Sequence, residues 1–210
     1  MLFTVMILIA WIACGHGRGS SSDVYSTNSH SIEEIGNDVF FEIVHPPELQ
    51  FTYRVRPARS FGTNFNSSFS EKNIALIPTI PSDCCGPPDN ADDLFGAVAL
   101  IERGGCTFDK KTANAEKAGA KAVIISDHIL TAERDRNSPM WKDYNYVDMD
   151  AGADSSFDIN IPAGFLLGKN GRMIRDTLRQ LNLPHAIINI PVNLTFTPRH
   201  AYNRPTWVHI

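Results

Sequence analysis

The sequence predicts an α/β (α+β) fold organised around one strand–helix–strand unit. Residues 97–101 (AVALI) and 122–126 (AVIIS) are continuous apolar runs of strand length. Between them lie a glycine turn, an N-cap residue and a stretch of helical period. Strands that are apolar at every position are covered on both faces, and this order makes the two strands parallel neighbours. A second helix, between an apolar strand at 161–167 and a closing strand at 186–196, completes the pattern.

Residues 2–13 are apolar apart from Thr4. A spanning helix needs about 20 apolar residues, so this run is short for one. Small residues follow at Ala13, Gly15 and Gly17, which is the layout of a secretory signal peptide over residues 1–15, cut after Gly15. No Lys or Arg precedes the run, and an uncleaved anchor is the competing reading. Residues 16–38, rich in Ser, Gly and Asn, read as a flexible leader.

The ordered domain is expected over residues 39–196. Residues 39–44 and 49–56 read as strands split by the turn His45-Pro46-Pro47-Glu48. In the second, Phe51, Tyr53 and Val55 alternate with Thr52, Arg54 and Arg56. Residues 60–70 are a loop and 73–80 another strand. Residues 81–93 form a connection holding Cys84 and Cys85.

After the 97–101 strand comes the tight turn Arg103-Gly104-Gly105-Cys106. Thr107 is a good N-cap for a helix running to Ala118, with Phe108, Thr112, Ala115 and Ala118 on its apolar side; Gly119 stops it as a C′ glycine. Residues 127–158 are a long polar connection with Trp141, Tyr144 and Tyr146, either mobile or functional. The second helix, at 168–181, puts Met173, Ile174, Thr177, Leu178 and Leu181 on one side. The tail, 197–210, holds Pro198, Pro205 and Trp207 and reads as an extended strap.

Composition excludes some functions. Lys plus Arg number 19 and Asp plus Glu 23, so the formal charge is 19 − 23 = −4. A nucleic-acid binder needs a basic face, so no nucleic-acid partner is expected. Nor is stable membrane insertion expected once the signal is removed. Of the four cysteines, Cys14 leaves with the signal; an oxidising compartment favours joining Cys84 or Cys85 to Cys106, since adjacent cysteines bridge poorly. Zinc is not expected, because the adjacent pair lacks the gap that lets two thiolates grip one ion. Asn66-Ser67-Ser68 and Asn193-Leu194-Thr195 are glycosylation sequons.

No catalytic set stands out. The Gly104-Gly105 turn lacks a phosphate-cradle pattern, and neither His-Glu-x-x-His nor Gly-x-Ser-x-Gly occurs. Asp127-His128, at a buried strand's end, offers a metal ligand or general base. The plainer reading is a polar strand end, since neighbouring side chains on a strand face opposite ways. Asp143, Asp148, Asp150, Asp154 and Asp158 lack the order of an EF loop and read as a solvated loop rather than a calcium site. No cofactor is expected. The expected binding surface is at the strand ends: Arg103, Gly104, Gly105, Asp127, His128 and the loop that follows.

The stretch GAVALIERGGCTFDKKTANAEKAGAKAVIISD (96–127) closely resembles the signature of protease-associated domains, and IPAGFLLGKNGRMIRDTL (161–178) resembles that family's second block. The likeness covers residues 39–196. It implies an α/β fold with a bent or barrel-like sheet and a few flanking helices. It implies a non-catalytic module that binds a protein or peptide, in a secreted glycoprotein that passes through the ER and Golgi lumen. It further implies a bridge between Cys85 and Cys106. Cys84 and the long 127–158 connection depart from the family pattern. The alternative function is an accessory or regulatory part of a peptidase, or a weak hydrolase.

Overall fold

The parallel pair at the centre of the fold is where the sequence places it. The computed structural model describes residues 38–65, 69–127, 147–153, 155–166, 169–198 and 201–207. Strands β1 (Val39–His45), β2 (Thr52–Pro57) and β3 (Glu71–Pro78) come first. They are followed by the short helix α1 (Ala91–Leu94), β4 (Val98–Glu102), helix α2 (Phe108–Lys117) and β5 (Ala122–Ser126). Then come β6 (Ala163–Leu166), helix α3 (Asn170–Gln180) and β7 (Ala186–Ile190). Among the described residues these strands close into a barrel in the order β1-β2-β6-β5-β4-β3-β7. The bent or barrel-like sheet implied by the family resemblance is thus a closed one. Pairs β3–β4, β4–β5 and β5–β6 are parallel and the rest antiparallel.

Every residue of β4 and β5 is buried. Val98, Leu100, Ala122 and Ile124 belong to a cluster to which every strand contributes, with Phe41, Tyr53, Val55, Leu76, Leu166 and Ile188 among its members. Ala99, Ile101, Val123 and Ile125 point the other way, into a cluster with Leu94 of α1, Ala115 of α2 and Met149. Strand parity therefore sends one set into the barrel and the other under the helices. By the same parity Glu102 and Ser126, paired in register, end the inward rows.

Several boundaries differ from expectation. Leu49 lies in a 3-10 turn, Pro47–Leu49, and β2 starts only at Thr52. The backbone bonds Leu49 N–H to Pro46 O and Gln50 N–H to Pro47 O close that turn. The closing strand stops at Ile190, because Pro191 has no N–H to continue the ladder. The 81–93 connection contains α1. On α3 the buried residues are Asn170, Gly171, Ile174, Arg175 and Leu178, whereas Leu181 is exposed. On α2 the buried face takes in Asp109 and Lys111 besides Thr112 and Ala115. The tail folds back as a strap: Thr52 N–H donates to Asn203 O at 2.6 Å, and the Trp207 ring meets Phe51 edge-on. Asp38, the last residue of the expected leader, has a buried side chain, ion-paired with Arg54 and Arg56. The rest of the leader, the signal segment, Asn66, His128 and the aromatics Trp141, Tyr144 and Tyr146 lie outside the described residues.

Helix α3 approaches β5 closely enough that a Cβ on Gly171 would overlap the Ser126 side chain. Gly171→Ala is expected to cost about 1–3 kcal/mol, as other overpacked sites do. A lowered urea midpoint with unchanged slope is the expected result; an unchanged midpoint contradicts this contact.

Candidate functional site

The chain leaves the parallel pair at Arg103 and Asp127, and the structure joins these two exits. Arg103 N–H donates to Ser126 O at 2.8 Å, and Arg103 Nη1 lies 3.6 Å from Asp127 Oδ1. The guanidinium is the more open partner, 37% exposed against 15% for the carboxylate. Gly104 and Gly105 take φ values of 111° and 78°, which favour glycine. A Cβ on Gly104 would meet open space; one on Gly105 would sit 2.9 Å from both Asp83 Oδ2 and Cys85 Sγ. The turn is therefore exposed outward and packed tightly inward. Four of the five expected binding residues share this rim, and His128 lies outside the described residues.

Cys85 bonds to Cys106, fastening the turn to residues 81–86. Cys84 is a buried free thiol in the outer cluster. Burial pushes it up to about 11; Lys111 pulls it down and Asp83 pushes it further up. Beneath the bridge sits Lys111, fully buried. Its Nζ donates to Asp83 O at 2.5 Å and lies 3.4 Å from Cys85 Sγ. Burial lowers its pKa, against the opposing pull of Asp83, Cys84 and Glu102. Sequence reading missed this lysine because the residue type is normally solvent-facing. The available signal was its spacing from Ala115 and Ala118, which places all three on one helix face.

At the barrel end lies a second polar cluster. Glu102 and Arg175 are almost fully buried, and Arg175 Nε lies 2.9 Å from Glu102 Oε1. Arg175 Nη2 donates to Ser126 Oγ at 2.5 Å, and Ser82 Oγ donates to Glu102 Oε2 at 2.9 Å. Ser126 is not arranged as a nucleophile: its buried hydroxyl faces a guanidinium, which donates protons and takes none.

The acidic connection is tied down where it is described. Asp148 lies 3.0 Å from Arg59 and 3.6 Å from Arg56, and Ser60 Oγ accepts from Ala151 N–H. Asp148 is thus ion-paired rather than merely solvated. Asp158 is exposed, and Asp143 and Asp154 lie outside the described residues. Among the described residues no group of three or more His, Cys, Asp or Glu could hold a metal ion. Asn193 is exposed, in a turn where its Oδ1 accepts from Thr195 N–H at 3.0 Å.

Thr107 occupies the N-cap of α2 but makes no side-chain capping bond. Asp109, in the first turn of α2, is buried; the Thr107 and Ser155 hydroxyls and the N–H groups of Lys110 and Gly152 act on its carboxyl, though neither oxygen closes a hydrogen bond of good geometry. Burial pushes the Asp109 carboxyl up; these donors outweigh it and hold it below its usual value. A Cβ on Gly152 would sit 3.0 Å from Thr107 Cγ2, so the returning segment lies against the start of α2. A carboxyl lowered in the folded state contributes stability above its unfolded value, about 3.9, that is lost as pH falls through the folded value. Asp109→Ala is expected to cost about 1–3 kcal/mol at pH 7, with the deficit shrinking below about pH 4. Urea unfolding of both proteins from pH 2.5 to 7 measures it, and a pH-independent deficit contradicts a stabilising charge on Asp109.

The PA (protease-associated) domain family profile matches residues 71–174. The PRADC1-like protein of Drosophila melanogaster is 46% identical over 207 residues, spanning 96% of this chain and 99% of that protein. The ER degradation-enhancing alpha-mannosidase-like protein 3 of Homo sapiens is 33% identical over 138 residues, which are 66% of this chain and 14% of that protein. Among solved structures, an aminopeptidase from Aneurinibacillus sp. strain AM-1 matches 73% of this chain with 30% of its own, at 21% identity and a TM-score of 0.47. With nearly half its residues shared along almost the full length of the fly protein, and the family profile running from β3 into α3, this chain belongs to the PA domain family.

Proposed function

We propose that this chain is a non-catalytic binding protein of the secretory route, with Arg103, Gly104, Gly105 and Asp127 forming the surface that meets a protein or peptide partner. The observation that carries this reading is the rim itself. It combines an outward-facing glycine turn with a flanking charge pair, and a disulfide fastens it so that little ordering entropy is spent on binding. The polar groups beneath it pair with one another, as Glu102, Arg175 and Ser126 do, rather than facing a substrate. His128, next in the chain, extends the proposed surface.

The same reading makes residues 1–15 a cleaved signal peptide, 16–38 a leader, 39–196 the binding domain and 197–210 its strap, with secretion through the ER and Golgi. Asn66 and Asn193 are its glycosylated positions, and the exposure of Asn193 supports the second. Among the described residues no helix is long and apolar enough to cross a membrane.

The test uses the full chain expressed in a secretory cell line. Partners are captured by lumenal cross-linking, identified, then titrated with wild type and with Arg103→Glu. Losing the flanking charge to its opposite is expected to weaken binding at least about tenfold, or 1.4 kcal/mol. Unchanged affinity for every identified partner contradicts the placement. Peptide hydrolysis by the pure protein, abolished by Asp127→Ala, overturns the non-catalytic reading in favour of a hydrolase.

A further inference from the structure

Lys111 is a fully buried cation whose ammonium lies against the Cys85–Cys106 bridge. Its Nζ donates to one backbone carbonyl, Asp83 O, and faces Cys85 Sγ at 3.4 Å. A disulfide sulfur is a weak acceptor, whereas a thiolate is an anion that an ammonium at this distance stabilises strongly. The charge is thus placed to suit the state in which Cys85 is reduced. Cys85 and Cys106 are both only half-buried, and the turn residues Gly104 and Gly105 beside them are exposed, so the bridge is within reach of a solute. Cys84 is different: it is fully buried, and its thiol stays protonated.

We infer that the Cys85–Cys106 bridge is a thiol-exchange site, in which Cys106 is the sulfur attacked, Cys85 the sulfur that leaves and Lys111 the cation that receives the leaving thiolate. The co-reactant is an external thiol, either glutathione or a lumenal dithiol protein. Its thiolate attacks Cys106 Sγ, a new S–S bond forms there, and the Cys85–Cys106 bond breaks with its electron pair moving onto Cys85 Sγ. The products are a mixed disulfide on Cys106 and a Cys85 thiolate beside the Lys111 ammonium. A second thiolate then attacks the incoming partner's sulfur. It releases Cys106 as a thiolate and carries away the oxidised thiol pair, leaving the protein reduced by two electrons. Because thiolate stability at the leaving sulfur sets both rate and equilibrium, Lys111 directs attack to Cys106.

Opening the bridge frees the turn and leaves its surroundings in place. Residues 82–84 stay bound through Glu102 N–H to Ser82 O at 2.7 Å, Asn114 Nδ2 to Cys84 O at 3.0 Å and Lys111 Nζ to Asp83 O. The segment that loses its fastening is Gly104-Gly105-Cys106. The site is therefore a local redox element, and it stands whether or not the rim is a binding surface.

The experiment treats the oxidised full chain with reduced glutathione under native conditions. It is blocked at intervals with excess N-ethylmaleimide near neutral pH, while still folded, and mapped by peptide mass spectrometry. Expected are glutathione on Cys106 with maleimide on Cys85 at early times and maleimide on both at late times, with Cys84 unmodified while the protein is folded. Glutathione on Cys85 or Cys84, or a bridge that stays closed in millimolar glutathione, overturns the inference. The exchange equilibrium is then compared in Lys111→Met, which is expected to hold the bridge closed about tenfold more strongly, one pKa unit of lost thiolate stabilisation. An unchanged equilibrium in folded Lys111→Met contradicts the role of Lys111. If that variant does not fold, the position of the adduct in the wild-type chain and in Cys84→Ser decides alone.

Discussion

The arrangement of the strand-end rim depends on the ion pair between Glu102 and Arg175. Glu102 ends the inward row of β4, and Arg175 reaches it from α3 across the end of β5. Around it gather Ser126, which accepts from Arg175, and Ser82, which donates to Glu102. Four chain segments are therefore fixed relative to one another by one buried charge pair and its hydrogen bonds. Burying two charges is costly, and removing either partner alone typically costs about 3–5 kcal/mol. The rim residues Arg103 and Asp127 each follow a member of this cluster in the chain, so its geometry is handed directly to them.

A second layer of control lies on the outer side of β4. Lys111 on α2 reaches under the bridge to Asp83, and Asn114, three residues on, holds Cys84 O. Thr107, at the start of the same helix, packs on Gly152, while Asp148 ties the end of the long connection to Arg59. Helix α2 is thus more than a cover for apolar strands. One of its turns positions the cysteine loop and another the returning acidic segment, and the turn that opens it carries the bridge.

Much of this is local and was legible. The runs 97–101 and 122–126 read as parallel, doubly covered strands because no polar residue interrupts them, and Gly119 marks where α2 stops because φ there is +84°. What escaped the reading is set by partners distant in sequence. Nothing near Lys111 or Arg175 reveals the carbonyl or the carboxylate that makes their burial tolerable. Barrel closure requires β1 to meet β7, as Glu42 does Asn189, and periodicity does not encode such a pairing; the family resemblance supplied the barrel-like sheet. The residues alone left Cys84 and Cys85 as equal candidates. Their difference is that Cys84 turns inward beside Leu94 while Cys85 faces Gly105, and the resemblance again pointed to Cys85.

The central functional claim is that partners dock on the glycine turn and its charge pair. Hydrogen–deuterium exchange on the bridged chain, with and without a captured partner, tests it most directly. New protection is expected in residues 103–106 and around 127, with the sheet unchanged. Protection confined to the strap at 201–207 or to the turn after β7 would contradict it and move the binding surface elsewhere on the barrel.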